Sequence, residues 1–450
     1  MKRLTFFLFN LFVAAGITST AVFAQPANDN FANAETLSGL KFNITRTNVG
    51  ATKEPGEANH ANNAGGKSVW FKWVAPMSRS FVVSTARTPT NLDTLLAVYR
   101  LNNLGEPFLE SSRDDLNGSD LRSLVRFEAQ QGDTYYFAVD GKSLGNGVVV
   151  EGEFKLELFL SQHLQGGDWD YDGKSDAAIF RPSTGTWWIK QSSTGQQRAF
   201  QWGAAGDLPM AMTGSGTGVP SYAVYRPSNS TLYDHPAECC ASSSIVQFGL
   251  TGDIPVASNF GGDQLTSLGV FRPSTGEWIG YTPMGGYYQF YAQFGAQGDI
   301  PVPGMYSGTD GYADFAVFRP STGTWWVLSR PNNDPGTWTN YYAIQFGMQG
   351  DKPVQADYDG DGYVDIAVYR PSSGMWWILR SSDGQVNAYQ WGIAEDVPST
   401  GDYDADGKAD IAVWRPSSGV WYILRSGDFS AEITQFGMNG DIPITANRAY

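Results

Sequence analysis

The 450-residue sequence predicts an all-β protein: an N-terminal antiparallel β-sandwich, then a six-bladed β-propeller whose C-terminal strand closes the first blade. Three observations predict this. Short runs rich in β-branched and aromatic residues alternate with Gly, Asn and Asp turns along the whole chain, with no helical period. An Arg-Pro-Ser triplet recurs at Arg181, Arg226, Arg272, Arg319, Arg370 and Arg415, spaced 45, 46, 47, 51 and 45 residues apart. An aromatic-Gly pair and a following acidic turn close each unit, from Trp202-Gly203 with Gly206-Asp207 to Phe436-Gly437 with Gly440-Asp441. A period of about 45 residues holding several strands is the signature of propeller blades.

Composition agrees. Glycine (52 residues) and aromatics (14%) are abundant and charged residues sparse (17%), which suits a β-protein with many tight turns. The net charge of −15 argues against nucleic acid as a partner. Residues 1–24 read as a secretory signal: Lys2 and Arg3, an apolar core over residues 4–15, and Val22-Phe23-Ala24 before Gln25. No second apolar span follows, so no transmembrane anchor is expected, and the mature protein is expected to be secreted or held at the cell surface. The two cysteines, Cys239 and Cys240, are adjacent. They are either free thiols of a variable loop or a strained vicinal disulfide.

Residues 25–160 supply the sandwich. Its strand-like runs include 68–74, 78–85, 95–99, 124–128, 134–139 and 153–159, separated by turns such as Asn102-Asn103, Asn117-Gly118 and Asp140-Gly141. Residues 161–450 supply the propeller. One unit shows its four strands in turn: 351–356, 365–370, 375–380 and 386–391. The unit beginning at Asp168 has no strand before its first loop, whereas the chain ends in a surplus strand after Gly440. Pairing the two closes the ring and leaves no open sheet edge.

Between the first and second strands of three units lies an aspartate loop. The copies are Asp168, Asp170, Asp172 and Asp176; Asp357, Asp359, Asp361 and Asp365; and Asp402, Asp404, Asp406 and Asp410. Carboxylates at loop positions 1, 3, 5 and 9, with Gly173, Gly362 or Gly407 at position 6, form an oxygen cage for a hard cation the size of Ca²⁺. The residue at position 7 (Lys174, Tyr363 or Lys408) offers its backbone carbonyl. An EF-hand would need Glu at position 12; Val368 stands there, so the loop opens a strand and not a helix. A metal-free Asp/Gly turn is the competing reading, but four like charges this close repel without a cation. The second unit carries Thr213, Ser215, Thr217 and Ser221 at these positions and is expected to bind no metal. The third keeps Asp263, with Asn259 and Ser267; the fourth keeps Asp310 and Asp314.

Residues 167–450 resemble FG-GAP (VCBS) repeats, the units of the integrin α-subunit propeller. The aromatic-Gly pairs and the Asp-x-Asp-x-Asp-Gly-x-x-Asp loops carry the resemblance. It implies Ca²⁺ in the loops and a surface used for adhesion or recognition, without naming a ligand. The segments 28–39, 68–73, 91–99 and 132–141 resemble the bacterial pre-peptidase C-terminal domain. That resemblance implies a jelly-roll-like accessory module with no catalytic role.

Other constellations admit blander readings. Each Arg of Arg-Pro-Ser is expected to pair with the Asp that opens its unit, as a scaffold contact. The pairs Trp187-Trp188, Trp325-Trp326, Trp376-Trp377 and Trp421-Tyr422 are expected in the core on both faces of a blade. The loops after the third strands carry Tyr287, Tyr288, Phe290, Trp338, Tyr341 and Tyr342, either as recognition residues or as plain loop packing. His60, His163 and His235 lie far apart without partners at ligand spacing, and no nucleophile elbow is present. Gly214–Gly218 falls in a decayed loop and opens no helix, so it is no phosphate cradle. The expectation is a non-enzymatic, calcium-binding adhesion or recognition protein with an extracellular protein or glycan ligand. A carbohydrate-binding propeller and a polysaccharide-active enzyme are the alternatives.

Overall fold

In the computed structural model every regular element among the described residues is a strand, apart from one 3-10 turn at Phe31–Asn33. The structure describes residues 24–444 except 40, 77–78, 86–87, 89–91, 116–120, 161–166, 171, 173, 214–219, 238–242, 261–266, 282–287, 308–311 and 330–339. The signal segment, Cys239, Cys240, His163, Asp263, Tyr287, Asp310 and Trp338 therefore lie outside the described residues.

Strands from Glu35 to Leu160 form two large sheets and one small one, in which Ser143–Gly145 pairs with Val148–Val149. The first orders Glu35–Leu37, Val69–Val74, Thr134–Gly141, Thr94–Leu101 and Pro107–Arg113; the second orders Phe42–Thr47, Glu153–Leu160, Arg79–Ser84 and Leu124–Ala129. One core joins them: Phe71, Trp73, Val98 and Phe137 from the first sheet pack with Phe81, Phe127, Phe154 and Leu156 from the second. The expectation of a wholly antiparallel arrangement needs a correction, because Glu35–Leu37 runs parallel to Val69–Val74. An edge strand only three residues long can enter from either direction, since few hydrogen bonds depend on the choice.

From Ala177 onward the strands form six four-stranded sheets, each antiparallel throughout. The fifth shows the plan: Lys352–Pro353, Ile366–Arg370, Met375–Leu379 and Val386–Gln390. The first sheet comprises Ala177–Arg181, Thr186–Lys190 and Gln197–Gln201, and its fourth strand is Ile442–Pro443 from the end of the chain. Ile179 pairs with Pro443 and Phe180 with Ile442, and Ile444 N donates to Ala178 O at 2.9 Å. The second strands, such as Ile366–Arg370, are buried on both sides for four residues running, which is why their sequences are unbroken apolar runs. Burial alternates in the third strand, and the fourth is largely exposed.

The first strand is shorter than expected, two residues in the fifth sheet, with a lone bridge further on between Ala356 and Asp365. Pro353 has no N–H to extend a ladder.

The Arg–Asp pairs occur in all six sheets. Arg370 donates from Nε and Nη2 to the two oxygens of Asp351 at 2.8 and 2.9 Å. The same bidentate geometry joins Arg226 to Asp207, Arg272 to Asp253, Arg319 to Asp299, Arg415 to Asp396 and, across the closure, Arg181 to Asp441. Each aspartate also accepts the backbone N–H three residues earlier, as Asp351 does from Met348 at 3.0 Å. The aromatic-Gly pair is set by close approach. Gly374 sits at φ +65°, and a Cβ there would lie 2.2 Å from the carbonyl oxygen of Gly392.

Candidate metal centre

The aspartate loops lead directly into the second strands of the first, fifth and sixth sheets, so a rigid, doubly buried strand anchors one end of each. The structure brings the predicted carboxylates together. One oxygen from each of Asp168, Asp170 and Asp176 lies within 4.8 Å of the others; the same holds for Asp357, Asp359 and Asp361, and for Asp402, Asp404 and Asp410. Asp172, Asp365 and Asp406 complete the loops through hydrogen bonds.

The three loops share one frame. The position-1 carboxylate accepts backbone N–H groups from the far side of the turn: Asp357 from Gly360 and Gly362 (2.6 and 2.9 Å), Asp402 from Asp406 and Gly407 (3.1 and 3.0 Å), Asp168 from Asp172 (3.0 Å). The position-9 carboxylate accepts the N–H of position 2: Asp365 from Tyr358, Asp410 from Tyr403, Asp176 from Trp169, all at 2.7–2.8 Å. The position-5 carboxylate accepts the N–H of position 7, namely Lys174, Tyr363 or Lys408, at 2.8–2.9 Å. These position-7 residues thus enter the frame through their N–H groups. Carboxylates bonded to N–H groups are turned and held before any cation arrives.

The turn after the third strand supplies a second set of groups that the sequence reading missed. Ser381 N donates to Asp365 at 2.6 Å, Ser381 Oγ to Asp361 at 3.0 Å and Ser382 Oγ to Asp359 at 2.6 Å. Ser192 and Ser193 do the same for Asp176, Asp172 and Asp170. In the sixth sheet the backbone N–H groups of Ser426 and Gly427 reach Asp410 and Asp404. The signal was present: Ser-Ser or Ser-Gly follows the third strand in these three units.

Charge is poorly compensated in these loops. Burial, followed by the neighbouring charge of Asp170, pushes the Asp176 carboxyl up to about 8. Burial raises Asp357 to about 8, and the charges of Asp365 and Asp361 add to it. Burial lifts Asp410 to about 7, helped by Asp404, and Asp365 to about 6, helped by Asp359. Asp402 is driven well above the usual carboxylate range by burial and by Asp410. Asp170 Oδ1 is shielded from solvent with no hydrogen-bond partner. Convergent carboxylate oxygens, one of them an orphaned acceptor, fit a hard divalent cation.

Consecutive loops are also tied to each other. Ala409 N donates to Asp357 O at 2.7 Å, Ser175 N to Asp402 O at 2.6 Å, and Ser175 Oγ accepts from Asp402 N at 3.1 Å. Gly360 leaves room for Lys408 of the next loop; a Cβ there would come within 3.2 Å of its Cγ. The three intact loops are therefore neighbours, because strand closure sets the first sheet beside the sixth. Asp314 of the fourth unit keeps the position-9 role, accepting from Tyr306 and Ser307. In the second unit Ser221 stands there, fully buried.

Two expectations are corrected. The second residue of each aromatic pair is not core on both faces: Trp187, Trp325, Trp376 and Trp421 are fully buried, but Trp188, Trp326, Trp377 and Tyr422 are only half-buried. Their partners on the outer side are the scaffold arginines; the Arg181 guanidinium lies 5.3 Å over Trp188 and Arg415 lies 4.3 Å over Tyr422. His60 and His235, the two described histidines, also have partners. His60 is fully buried, with Nδ1 2.8 Å from Tyr99 Oη and Nε2 2.9 Å from Glu57, and Asp140 is close by. Burial would raise Glu57, but hydrogen bonds from His60 and Ser68 hold it below its usual range. Asp93, Asp114 and Asp115 form another acidic group, which Lys142 offsets in part with Nζ 2.9 Å from Asp114. His235 is paired as well, with Ser243 at 2.7 Å.

No family model matches the chain, and no curated protein matches its sequence. Solved structures that overlay on it include dihydro-heme d1 dehydrogenase NirN in complex with DHE, at 12% identity and TM-score 0.33 over 59% of this chain. The chain spans 55% of the NirN chain. A putative 6-phosphogluconolactonase from Bacteroides uniformis overlays at 12% identity and TM-score 0.39, covering 60% of this chain and 84% of that one. Apo AztD from Citrobacter koseri overlays at 9% identity and TM-score 0.34, covering 79% and 100%. At these scores none of the three lends its activity to this chain.

Proposed function

We propose that the chain is an exported, non-enzymatic adhesion or recognition protein: a β-sandwich beside a six-bladed β-propeller stabilised by Ca²⁺. The observation that carries this is the threefold repetition of one hydrogen-bonded carboxylate frame, with buried acidic groups whose charge a cation would offset. Asp168, Asp170, Asp172 and Asp176, and their counterparts in the other two loops, hold the ion through side-chain oxygens. Lys174, Tyr363 and Lys408 add their carbonyls. The ion supplies positive charge that ties the first two strands of a sheet into one hairpin; it takes part in no reaction. Affinity on the order of 10⁻⁴ to 10⁻³ M suits an extracellular module. The signal-like residues 1–24 and the acidic balance support export. The ligand is an extracellular protein or glycan, taken on the face of a rigid ring.

Thermal melting with and without Ca²⁺ tests the reading. The melting temperature should rise with millimolar Ca²⁺, and the rise should vanish in the combined Asp172→Ala, Asp361→Ala and Asp406→Ala variant. An unmutated protein that melts identically in Ca²⁺ and in chelator would refute it.

A further inference from the structure

The three intact aspartate loops are joined by backbone bonds that tie one loop's carboxylate frame to the next. In each loop the N–H of position 9 closes the neck of its own hairpin. Asp365 donates to Ala356 O at 2.8 Å, Asp410 to Gly401 O at 2.6 Å and Asp176 to Gly167 O at 2.7 Å. The N–H of position 8, one residue earlier, leaves the loop. Ala409 donates it to Asp357 O at 2.7 Å, and Ser175 donates it to Asp402 O at 2.6 Å. Ser175 Oγ also accepts from Asp402 N at 3.1 Å, so that junction is held from both sides. Both acceptors are position-1 residues, whose carboxylates belong to the candidate cages. Position 8 of the second unit is Pro220. It has no N–H to donate to Asp168, so the first loop stands at one end of the series and the sixth sheet's loop stands in the middle.

Bonds of the same kind run from Val364 to Met305 O and from Ala313 to Asn259 O, each at 2.8 Å. The bond is therefore part of the ring's scaffold and by itself says nothing about metal. The junctions at Asp357 and Asp402 differ because both ends of the bond lie in a full set of carboxylates. The donor peptide matters too. The N–H of Ala409 and the C=O of Lys408 belong to one peptide group, as do the N–H of Ser175 and the C=O of Lys174. A planar peptide turns as a unit. With its C=O engaged by a cation, its N–H is oriented and polarised, and the bond to the neighbouring loop gains strength, as in any chain of hydrogen bonds. That bond fixes the backbone of Asp357 or Asp402, whose carboxyl is already held by N–H groups of its own turn. Charge acts the other way, since an ion in one loop weakens the field that attracts an ion to the next. Salt screens that repulsion over about 8 Å at physiological strength, whereas the peptide link is a direct contact.

We infer that the three loops bind Ca²⁺ with positive cooperativity, passed from loop to loop through the Lys408–Ala409 and Lys174–Ser175 peptides. The inference rests on the calcium reading and adds how the sites respond. The ring passes from empty to full over a narrower range of calcium than independent sites would allow. Coupling between sites is ordinarily about fivefold or more, and it is reciprocal. An ion in the sixth sheet's loop should therefore raise the affinity of each neighbouring loop about fivefold, and each neighbour should do the same for it.

The test is calorimetric titration of the full chain with Ca²⁺ at physiological salt, alongside two variants that each lose one loop. Asp172→Ala removes an end of the series and leaves the fifth and sixth sheets' loops adjacent. Asp406→Ala removes the middle and leaves the two remaining loops apart. The unmutated protein should titrate with a Hill slope above unity. Asp172→Ala should keep a slope above unity for its two ions. Asp406→Ala should bind its two ions independently, and about fivefold more weakly. Ala409→Pro, which copies Pro220 into the sixth sheet's loop, deletes one link and keeps every carboxylate; it stands beside the others should either misfold, and should bind three ions with a lowered slope. Independent binding of three ions by the unmutated protein overturns the proposal and leaves the calcium reading standing. So does affinity that falls from ion to ion, or a slope in Asp406→Ala equal to that in Asp172→Ala. Absence of any calcium binding sinks both.

Discussion

Single residues carry two separable kinds of charge in this molecule. The scaffold aspartates are fully neutralised, each by a bidentate arginine, with side chains no more than 1% exposed. Asp351→Ala should therefore cost about 1.5–3 kcal/mol, as expected for hydrogen bonds to a charged group, without altering ligand binding. Chemical denaturation alongside a binding assay checks this; lost binding at unchanged stability would reassign the residue. Asp176 and Asp357 have no arginine paired with them in this way among the described residues. Asp176 and Asp357 titrate near 8 in the metal-free fold and near 4 when unfolded. The native state then holds more protons than the unfolded state between those values, so metal-free stability should fall as pH rises from about 4 to about 8. Saturating Ca²⁺ should flatten that slope. Melting curves across this range, in calcium-free buffer and in Ca²⁺, measure both. At this scale the sequence was readable where spacing is local: positions 1, 3, 5 and 9 of a loop need no knowledge of the fold. Ser192, Ser193, Ser381 and Ser382 repeat after the third strand but were missed, because they reach the loops from a turn 20–23 residues away, after two intervening strands. A longer separation, 39 residues, hid the His60–Tyr99 contact.

At the scale of elements, repetition made the sheets legible. Six copies of Arg-Pro-Ser marked the end of each second strand, and the surplus strand after Gly440 foretold the pairing of Ile442–Pro443 with Ala177–Arg181. Deleting residues 440–450 removes that pairing, the Arg181–Asp441 pair and the cover over one side of Ala177–Arg181. Scanning calorimetry should show the main transition broadened and shifted down; an unchanged transition would contradict closure. What the strand pattern did not disclose was the half-exposure of Trp188, Trp326 and Trp377. Alternation sends adjacent residues to opposite faces, but it does not say how fully the neighbouring sheet covers each face. The parallel pairing of Glu35–Leu37 was hidden for a related reason, since direction in an edge strand is decided by where the chain arrives.

Across the whole molecule, strand closure and the candidate metal loops are linked. The intact loops belong to the fifth, sixth and first sheets, and backbone hydrogen bonds run from Ala409 to Asp357 and from Ser175 to Asp402. The next link would need an N–H at position 220, but Pro220 has none; the second unit is also the one whose loop has lost its aspartates. The candidate metal loops are thus consecutive across the join between the two ends of the repeat, and the same backbone bonds run on from Val364 to Met305 and from Ala313 to Asn259. At tenfold excess over its dissociation constant each ion adds about 1.4 kcal/mol, so three sites add roughly 4 kcal/mol, before any coupling between them, where an open ring would otherwise part. Anomalous scattering from a crystal grown in abundant Ca²⁺ tests this most directly. The account predicts three peaks, each enclosed by one of the aspartate loops at Asp168, Asp357 and Asp402, in consecutive sheets. Ordered loops with no peak in any of them would contradict it.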